Sequence, residues 1–484
     1  MLKVFSKSFL GKTPVWYKIT ILLFLIINPI VYYFVSPFVA GWMLLLEFIC
    51  TLALALKCYP VPSGGLLALE AIAIGLTDPK HVYNEILINL PILLLLIFMV
   101  AGIYYLKDII FLAFTKLFVW VRNKSLLCLL FSLICAALSA FLDALTLIAA
   151  VIAICFNFYA VYHKVATDYQ DSPDSIKEMD EFKGFLRNVV MHGAVGTVLG
   201  GTMTIVGEPH NLMIANKLGW SFVDFFQKCS IISVPVSIGG FILCPILEAL
   251  KFPGFGYQLP QRAYDAIVKD YKAKYSKVTS QSIYLYSVQA IVGILLFIGL
   301  GFHVAEVGLI GIALIIILSA FKGLTKEHDF SEAFNNAMPF VLLIVVFFAV
   351  LAVVVDQNLV TPLIQWVFTF SGKAQLLALF FVNGFLSFIS DNVFVASVFI
   401  NEVEKAYKSG LVTPEWYEKL AVVVNMGTNV PAVATPNGHA AFLFLLTSSL
   451  APLINLSYWE MIKLTFPYTV VMTTIGAISI AFFM

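Results

Sequence analysis

Leu138-Ser139-Ala140-Phe141-Leu142-Asp143 and Leu386-Ser387-Phe388-Ile389-Ser390-Asp391 decide how this chain is read. Both run Leu-Ser, three residues, then Asp, inside long apolar stretches. Asp143 is the only Asp, Glu, Lys or Arg from Ser125 to Tyr162, a window of 38 residues. Asp391 is the only one from Ala374 to Asn401. An ionised side chain at the centre of a bilayer costs roughly 2.5–3.5 kcal/mol on insertion scales, and neither Asp has a basic neighbour in sequence. A carboxylate so placed either takes a proton or binds a cation. Asp143 and Asp391 are therefore the expected cation- and proton-binding residues. H+ and Na+ competing for one oxygen cluster is what exchange requires. The plainer alternative is a protonated, helix-capping or distantly paired Asp at each position.

A second pattern follows the first in each half. Gly201-Thr202 is followed nine residues after the Thr by Asn211, and Gly427-Thr428 likewise by Asn437. Pro209 and Pro436 stand just before the Asn in each case. The spacing between the two patterns differs, chiefly where residues 163–187 read as an insertion. Secondary transporters are commonly built from repeats whose broken helices meet near the bilayer midplane, where unwound carbonyls coordinate Na+. Irregular backbone survives at that depth only when it lines a cavity or is buried in protein. Gly and Pro free the backbone, and Ser, Thr and Asn supply hard oxygen. Candidate secondary ligands are Ser139, Thr202, Glu208, Asn211, Ser387, Asn392, Thr428 and Asn437. Glu208 reads equally as a ligand, a proton-path group or a brace for unwound backbone. His210 and His439 adjoin the expected breaks and are candidate pH-tuning groups, with hydrogen-bonded structural imidazoles as the alternative. Ordinary kinks with small packing residues are the alternative for the whole pattern.

The surrounding composition fits a membrane. The chain has 484 residues, 61% hydrophobic and 12% charged, about half the roughly 25% charged share of soluble domains. Charge-free runs at 19–46, 86–106, 229–247, 278–305, 333–355 and 464–484 are long enough to span. The run 307–321 is shorter, and 420–459 must be broken by Pro431, Pro436 and Pro452. We expect about 10–12 spans. From Ile19 to Leu56 the only charge is Glu47, so that stretch reads as two spans turning near Ser36-Pro37. Glu47, Glu70, Glu306 and Asp356 read as span-end, interfacial acids. Lys3, Lys7, Lys12 and Lys18 precede the first apolar run without the short core of a cleavable signal. They and the basic segment 249–282 place both on the cytoplasmic side. The expected organisation is a cytoplasmic N-terminus over 1–18 and a first membrane half over 19–248. Its hairpin lies near 125–162 and its broken helix near 188–216. A cytoplasmic linker over 249–282 follows. The second half covers 283–484, with a hairpin near 374–401 and a broken helix near 420–445.

Other classes are poorly supported. The balance of 29 basic and 28 acidic residues leaves no patch for nucleic acid. The seven cysteines form no CxxC pair, so a disulfide frame or thiolate metal centre is not expected. No HExxH, GxGxxG, P-loop or GxSxG motif is present, which removes positive support for an enzyme.

These residues also carry a resemblance. Trp16-Tyr17-Lys18, Asn28-Pro29, Ser36 to Trp42, Ala55 to Pro60, Ser139 to Thr146, Val206-Gly207-Glu208-Pro209, Ala305 to Gly311, Ser390 to Phe394 and Ala434 to Gly438 resemble the NhaB family of bacterial sodium/proton antiporters. The likeness runs from near residue 10 to near 480. It implies electrogenic exchange of cytoplasmic Na+ or Li+ for external H+, and no cofactor. It implies membership of the ion transporter superfamily, with divalent-anion symporters and arsenite pumps as relatives. By that likeness Asp143 and Asp391 sit at the tips of two opposed re-entrant hairpins. Segments 201–211 and 427–437 become the centres of discontinuous helices, and the protein is a homodimer in the bacterial inner membrane. Anion-carrying relatives use Ser-Asn-Thr tips, whereas an Asp at each tip suits a cation. The family pattern has Gln at the positions of His210 and His439, which implies a different pH profile here. The chain also ends sooner after its last apolar run than the family pattern.

We therefore expect an all-α polytopic membrane transporter with two inverted repeats, acting as a Na+/H+ antiporter. A sodium-coupled anion symporter or arsenite-type exporter on the same scaffold is the nearest rival, ahead of a membrane enzyme or a passive channel.

Overall fold

The computed structural model describes residues 4, 7–55, 57–142, 144–166, 173–275, 279–302 and 304–484. Asp143 lies outside the described residues. So do 167–172 of the expected insertion and 276–278 of the expected linker. The described residues are helical throughout, without a strand.

The chain opens with α1 (Val15–Phe34), α2 (Pro37–Ala53) and α3 (Pro60–Ile74). The first turn falls at Ser36, whose hydroxyl caps α2 by accepting the Val39 N–H at 3.2 Å. Pro37 takes the first helical position, where a missing N–H costs nothing. Glu47 is not at a span end. The turn at Ser36 makes it the eleventh residue of a 17-residue helix, and it is buried. Next come α4 (Pro79–Ile88) and α5 (Leu90–Tyr104), bent by 60° at Asn89, and the short α6 (Lys107–Trp120).

Two blocks of like order follow. The first has α7 (Lys124–Ser139), α8 (Ala144–Ala166), α9 (Pro173–Gly201), a break, α10 (Pro209–Leu218) and α11 (Phe222–Ala249). A connecting part holds α12 (Gln261–Tyr275), α13 (Ser280–Gly301), α14 (Val307–Lys322), α15 (Glu327–Asp356) and α16 (Thr361–Phe368). The second block has α17 (Gly372–Ile389), α18 (Asn392–Lys408), α19 (Pro414–Asn429), a break with two 3-10 turns, α20 (Ala440–Thr447) and α21 (Tyr458–Phe483). In each block the first hairpin arm packs on the helix before the break: α7 on α9, α17 on α19. Between blocks the packing is reciprocal. α8 lies on α20, and α18 lies on α10.

Long helices fix the direction of the two hairpins. At the C-terminal end of α11, Glu248 pairs with Lys124 at the start of α7. Near its N-terminal end, Lys228 pairs with Glu418 at the start of α19. α21 repeats the arrangement: Glu460 near its start meets Arg187 of α9, while Ala481 near its end accepts from Lys373 at the start of α17. The two hairpins thus start from opposite ends of α11 and α21.

Backbones approach closely where arms cross. A Cβ on Gly200 of α9 would fall onto the Ala136 carbonyl of α7, so only glycine allows this crossing. The base of α7 is tied down by charge. Lys124 Nζ stands 2.5 Å from Glu248 Oε2, and His192 Nε2 stands 2.9 Å from Glu248 Oε1. The Tyr468 hydroxyl lies 2.7 Å from His192 Nδ1. This buried carboxylate has compensating partners on two sides.

Among the described residues, seven helices are long and apolar enough to cross a membrane, and the bent pair makes an eighth. Four further apolar helices, α2, α3, α7 and α14, have 15 to 17 residues, short of the roughly 20 a full span needs. That shortness is why the count falls below the 10–12 expected. Large apolar side chains such as Phe34 and Trp459 face outward, as a lipid-facing surface requires. The expected linker contains α12, an amphipathic helix with Ala263 and Ile267 buried. It lies along α6, the Tyr264 hydroxyl donating to the Val119 carbonyl at 3.0 Å.

Candidate ion-binding site

α17 stops at Ile389, Ser390 is extended, and Asp391 caps α18. Its Oδ1 accepts the N–H groups of Val393 at 2.9 Å and Phe394 at 3.4 Å. Capping is the plainer role the sequence allowed, and it occupies one oxygen. Oδ2 makes no hydrogen bond among the described residues. Asp391 lines a cavity of about 550 Å³. Asn437 lines it too, and α8 and α20 supply Thr146 and Phe444 to the wall. Tyr104, Lys107 and Asn335 line it as well.

The breaks lie against the hairpins. The Thr435 hydroxyl donates to the Phe388 carbonyl at 2.6 Å, and the Thr204 hydroxyl donates to the Ala140 carbonyl. Phe388 and Ala140 each stand three residues before an Asp in sequence, Asp391 and Asp143. Each unwound segment is therefore pinned to the same point of its own hairpin. Asn211 braces the first break from inside, donating to the Gly201 and Thr204 carbonyls at 2.8 and 2.7 Å. At the second, the His439 Nε2–H donates to the Asn429 carbonyl at 2.8 Å, leaving Nδ1 to accept from Asn392 Nδ2 at 3.1 Å. Both of its ring nitrogens are used by the neutral tautomer. His210 Nε2 accepts from Asn429 Nδ2 at 2.9 Å, which joins the two breaks. Glu208 is buried at the N-cap of α10 without a capping bond, 3.7 Å from His439 Nδ1.

Not every candidate faces the junction with a free atom. Thr202 donates back to the Leu199 carbonyl, and Thr428 to those of Val424 and Asn425. Ser139 Oγ, Ser387 Oγ and the amide oxygens of Asn211, Asn392 and Asn437 are buried without a partner among the described residues. Oxygens of this kind replace the hydration shell of a desolvated alkali cation. Three further asparagines belong with them. Asn383, one turn before Ser387 on α17, has both amide atoms buried and unpartnered. Asn429 leaves its amide oxygen free. Asn425 reaches across to the Thr202 carbonyl at 3.5 Å. The sequence signal for Asn383 was its spacing of four from Ser387. Thr435→Val removes one half-buried hydroxyl and leaves the Phe388 carbonyl without this donor, a loss of about 1 kcal/mol. We expect a lower Tm in detergent and a raised half-saturating Na+ concentration, with Thr435→Ser restoring both.

Comparison with known proteins bears on this arrangement. The family described as Bacterial Na+/H+ antiporter B (NhaB) matches the chain over residues 1–484. The chain belongs to the NhaB family. Its relatives include the Na(+)/H(+) antiporter NhaB of Pasteurella multocida, 50% identical over 99% of this chain and 96% of that protein. Those of Shewanella denitrificans and Yersinia enterocolitica are also 50% identical, each over 98% of this chain and 92% and 93% of their own length. As an NhaB-family member with seven candidate spans among the described residues, the protein is a multi-pass membrane Na+/H+ antiporter, a secondary transporter rather than an enzyme. Na+ and H+ are its substrates.

Proposed function

We propose that the protein extrudes cytoplasmic Na+, and Li+, by electrogenic exchange for external H+, with both ions competing for Asp143 and Asp391. The observation that carries this is the Asp391 carboxylate, buried where hairpin and break meet, lining the cavity, with one oxygen taken by no hydrogen bond among the described residues. A proton and a cation neutralise the same charge there, so each displaces the other. Ser387, Asn383, Asn392 and Asn437 supply neutral oxygen to the cation; Ser139 and Asn211 do so in the first block. Glu208 and His439 form a polar link between the halves through which a proton is handed on. The like order of the two blocks, and hairpins starting from opposite ends of α11 and α21, support inverted repeats with re-entrant hairpins of the ion transporter superfamily kind.

Exposed Lys107 and Asn335 are among the lining residues of the cavity, and α6, which begins at Lys107, lies along the basic α12. Basic connecting segments mark the cytoplasmic side. We therefore read this conformation as open to the cytoplasm, with the N-terminus on that same side of the bacterial inner membrane. Rocking of the hairpin-bearing blocks against the remaining helices gives alternating access, in a homodimer whose other helices form the scaffold.

Asp143→Asn tests the assignment in the half whose tip Asp was read from sequence. In proteoliposomes with an acid interior and an internal pH dye, NaCl and LiCl are expected to dequench the wild type and KCl is not. The variant is expected to lose the response while inserting normally. Wild-type exchange by a folded Asp143→Asn protein would remove Asp143 from the mechanism. Na+-dependent uptake of a labelled anion, with no response to cations alone, would replace antiport with symport.

A further inference from the structure

Glu47 and Glu70 stand apart from both hairpins, on α2 and α3. Asn28 of α1 comes between them. Its Nδ2 donates to Glu47 Oε2 at 2.7 Å and to Glu70 Oε2 at 2.9 Å. One amide group thus holds two carboxyl groups together within an apolar three-helix packet. Glu47 is the only charged residue from Ile19 to Leu56, and Glu70 the only one from Cys58 to Thr77. Neither has a basic partner among the described residues. Asn28 is 0% exposed, and its Oδ1 is buried without a partner. Pro29 lacks the N–H that would make the regular helix bond to the Leu25 carbonyl one turn back. Glu47 is buried and Glu70 half-buried, so access is from the Glu70 side, near the Gly75 end of α3.

Two ionised carboxylates sharing one neutral amide in apolar surroundings repel each other and lose their hydration. At least one must carry a proton, or a cation must lie between them. Turning the Asn28 amide over puts its buried, unpartnered oxygen where the NH2 group now bridges the carboxyl groups, which completes an all-oxygen donor set suited to a hard alkali cation rather than a soft metal. We infer that Asn28, Glu47 and Glu70 form a second ion site, remote from the hairpin tips, that takes one Na+ or Li+ in exchange for one proton. With both carboxyl groups protonated the cluster is neutral. Cation binding expels one proton. The resulting carboxylate binds the ion together with the other carboxyl oxygen and the Asn28 amide oxygen. Net charge is unchanged, so the exchange is electrically silent at this site.

The test uses the full-length protein, purified in detergent in weak buffer, with a pH indicator reading proton release on addition of NaCl, LiCl or KCl. The background is Asp143→Asn/Asp391→Asn, which removes both tip carboxylates. A saturable release with Na+ or Li+, absent with K+, is expected to remain there. Adding Glu47→Gln or Glu70→Gln is expected to abolish it. Glu70→Asp, which keeps the carboxyl group at the half-buried position, is expected to retain it at weaker affinity. The two Gln variants also serve as checks on each other's folding, read by monodisperse elution and Tm. No release in the double-Asn background of folded protein would overturn the second site, as would a release that both Gln variants leave unchanged. Failure of the tip assignment reads differently: Asp391→Asn alone would then keep full Na+-driven proton movement.

Discussion

Asp391→Asn is expected to end Na+-driven proton movement while leaving the fold in place. Asn is as good an N-cap as Asp, so its amide oxygen can still receive the Val393 and Phe394 N–H groups that Asp391 now holds. What disappears is the charge. A cation in this junction would be left among neutral amides and hydroxyls, and no group at the tip could carry the returning proton. Removing one partner of a buried ion pair costs about 3–5 kcal/mol, so Na+ affinity falls by about 100-fold or more. Isothermal titration with NaCl in detergent reads the affinity, dye dequenching in proteoliposomes reads the exchange, and Tm confirms the cap. Unchanged Na+ affinity in a folded Asp391→Asn protein would reduce Asp391 to a cap and nothing else.

Gly200→Leu is the largest structural effect expected. The crossing of α9 over α7 brings the Ala136 carbonyl to where a Cβ on Gly200 would sit. A side-chain clash can be relieved by a rotamer change, but this one is against backbone. The two helices must separate, and with them the hairpin that leads to Ser139 and the Thr204–Ala140 bond. Overpacking of well-packed cores costs about 1–3 kcal/mol, and displacement of backbone puts this case at or above the upper end. The expected result is loss of monodisperse protein from membrane extracts. Gly293→Leu, on α13, is the control, because nothing stands within 4 Å of a Cβ placed there. Normal yield and exchange in Gly200→Leu would mean that the α7–α9 crossing is looser than described.

Some of this was legible in the chain itself, for physical reasons. A lone Asp in 28 or more apolar residues is visible because charge in a bilayer is rare. The prolines at 209 and 436 mark where the helix ladder cannot continue. The turn at Ser36-Pro37 is visible because capping chemistry is local. The rest depends on partners far away in sequence. Asn429 meets His210 across 219 residues, and Asn425 meets Thr202 across 223. No local pattern distinguishes these asparagines from loop residues. Thr202 and Thr428 were attractive for their repeated spacing, but helix geometry offers each hydroxyl a carbonyl one turn back. Glu47 was misplaced because a lone acid in an apolar run reads as interfacial, although the turn legible at Ser36-Pro37 already puts it well inside the second helix.

The reciprocal packing of α8 on α20 and of α18 on α10 bears on how the protein is made. The ribosome delivers α8 from Ala144 onward, and α20 begins only at Ala440, 296 residues later. Until then the second arm of the first hairpin lacks its α20 partner, whereas α10 meets its own partner, α18, from Asn392 onward. The N-terminal half is thus synthesised as an open body that closes only when the last tenth of the chain has been inserted.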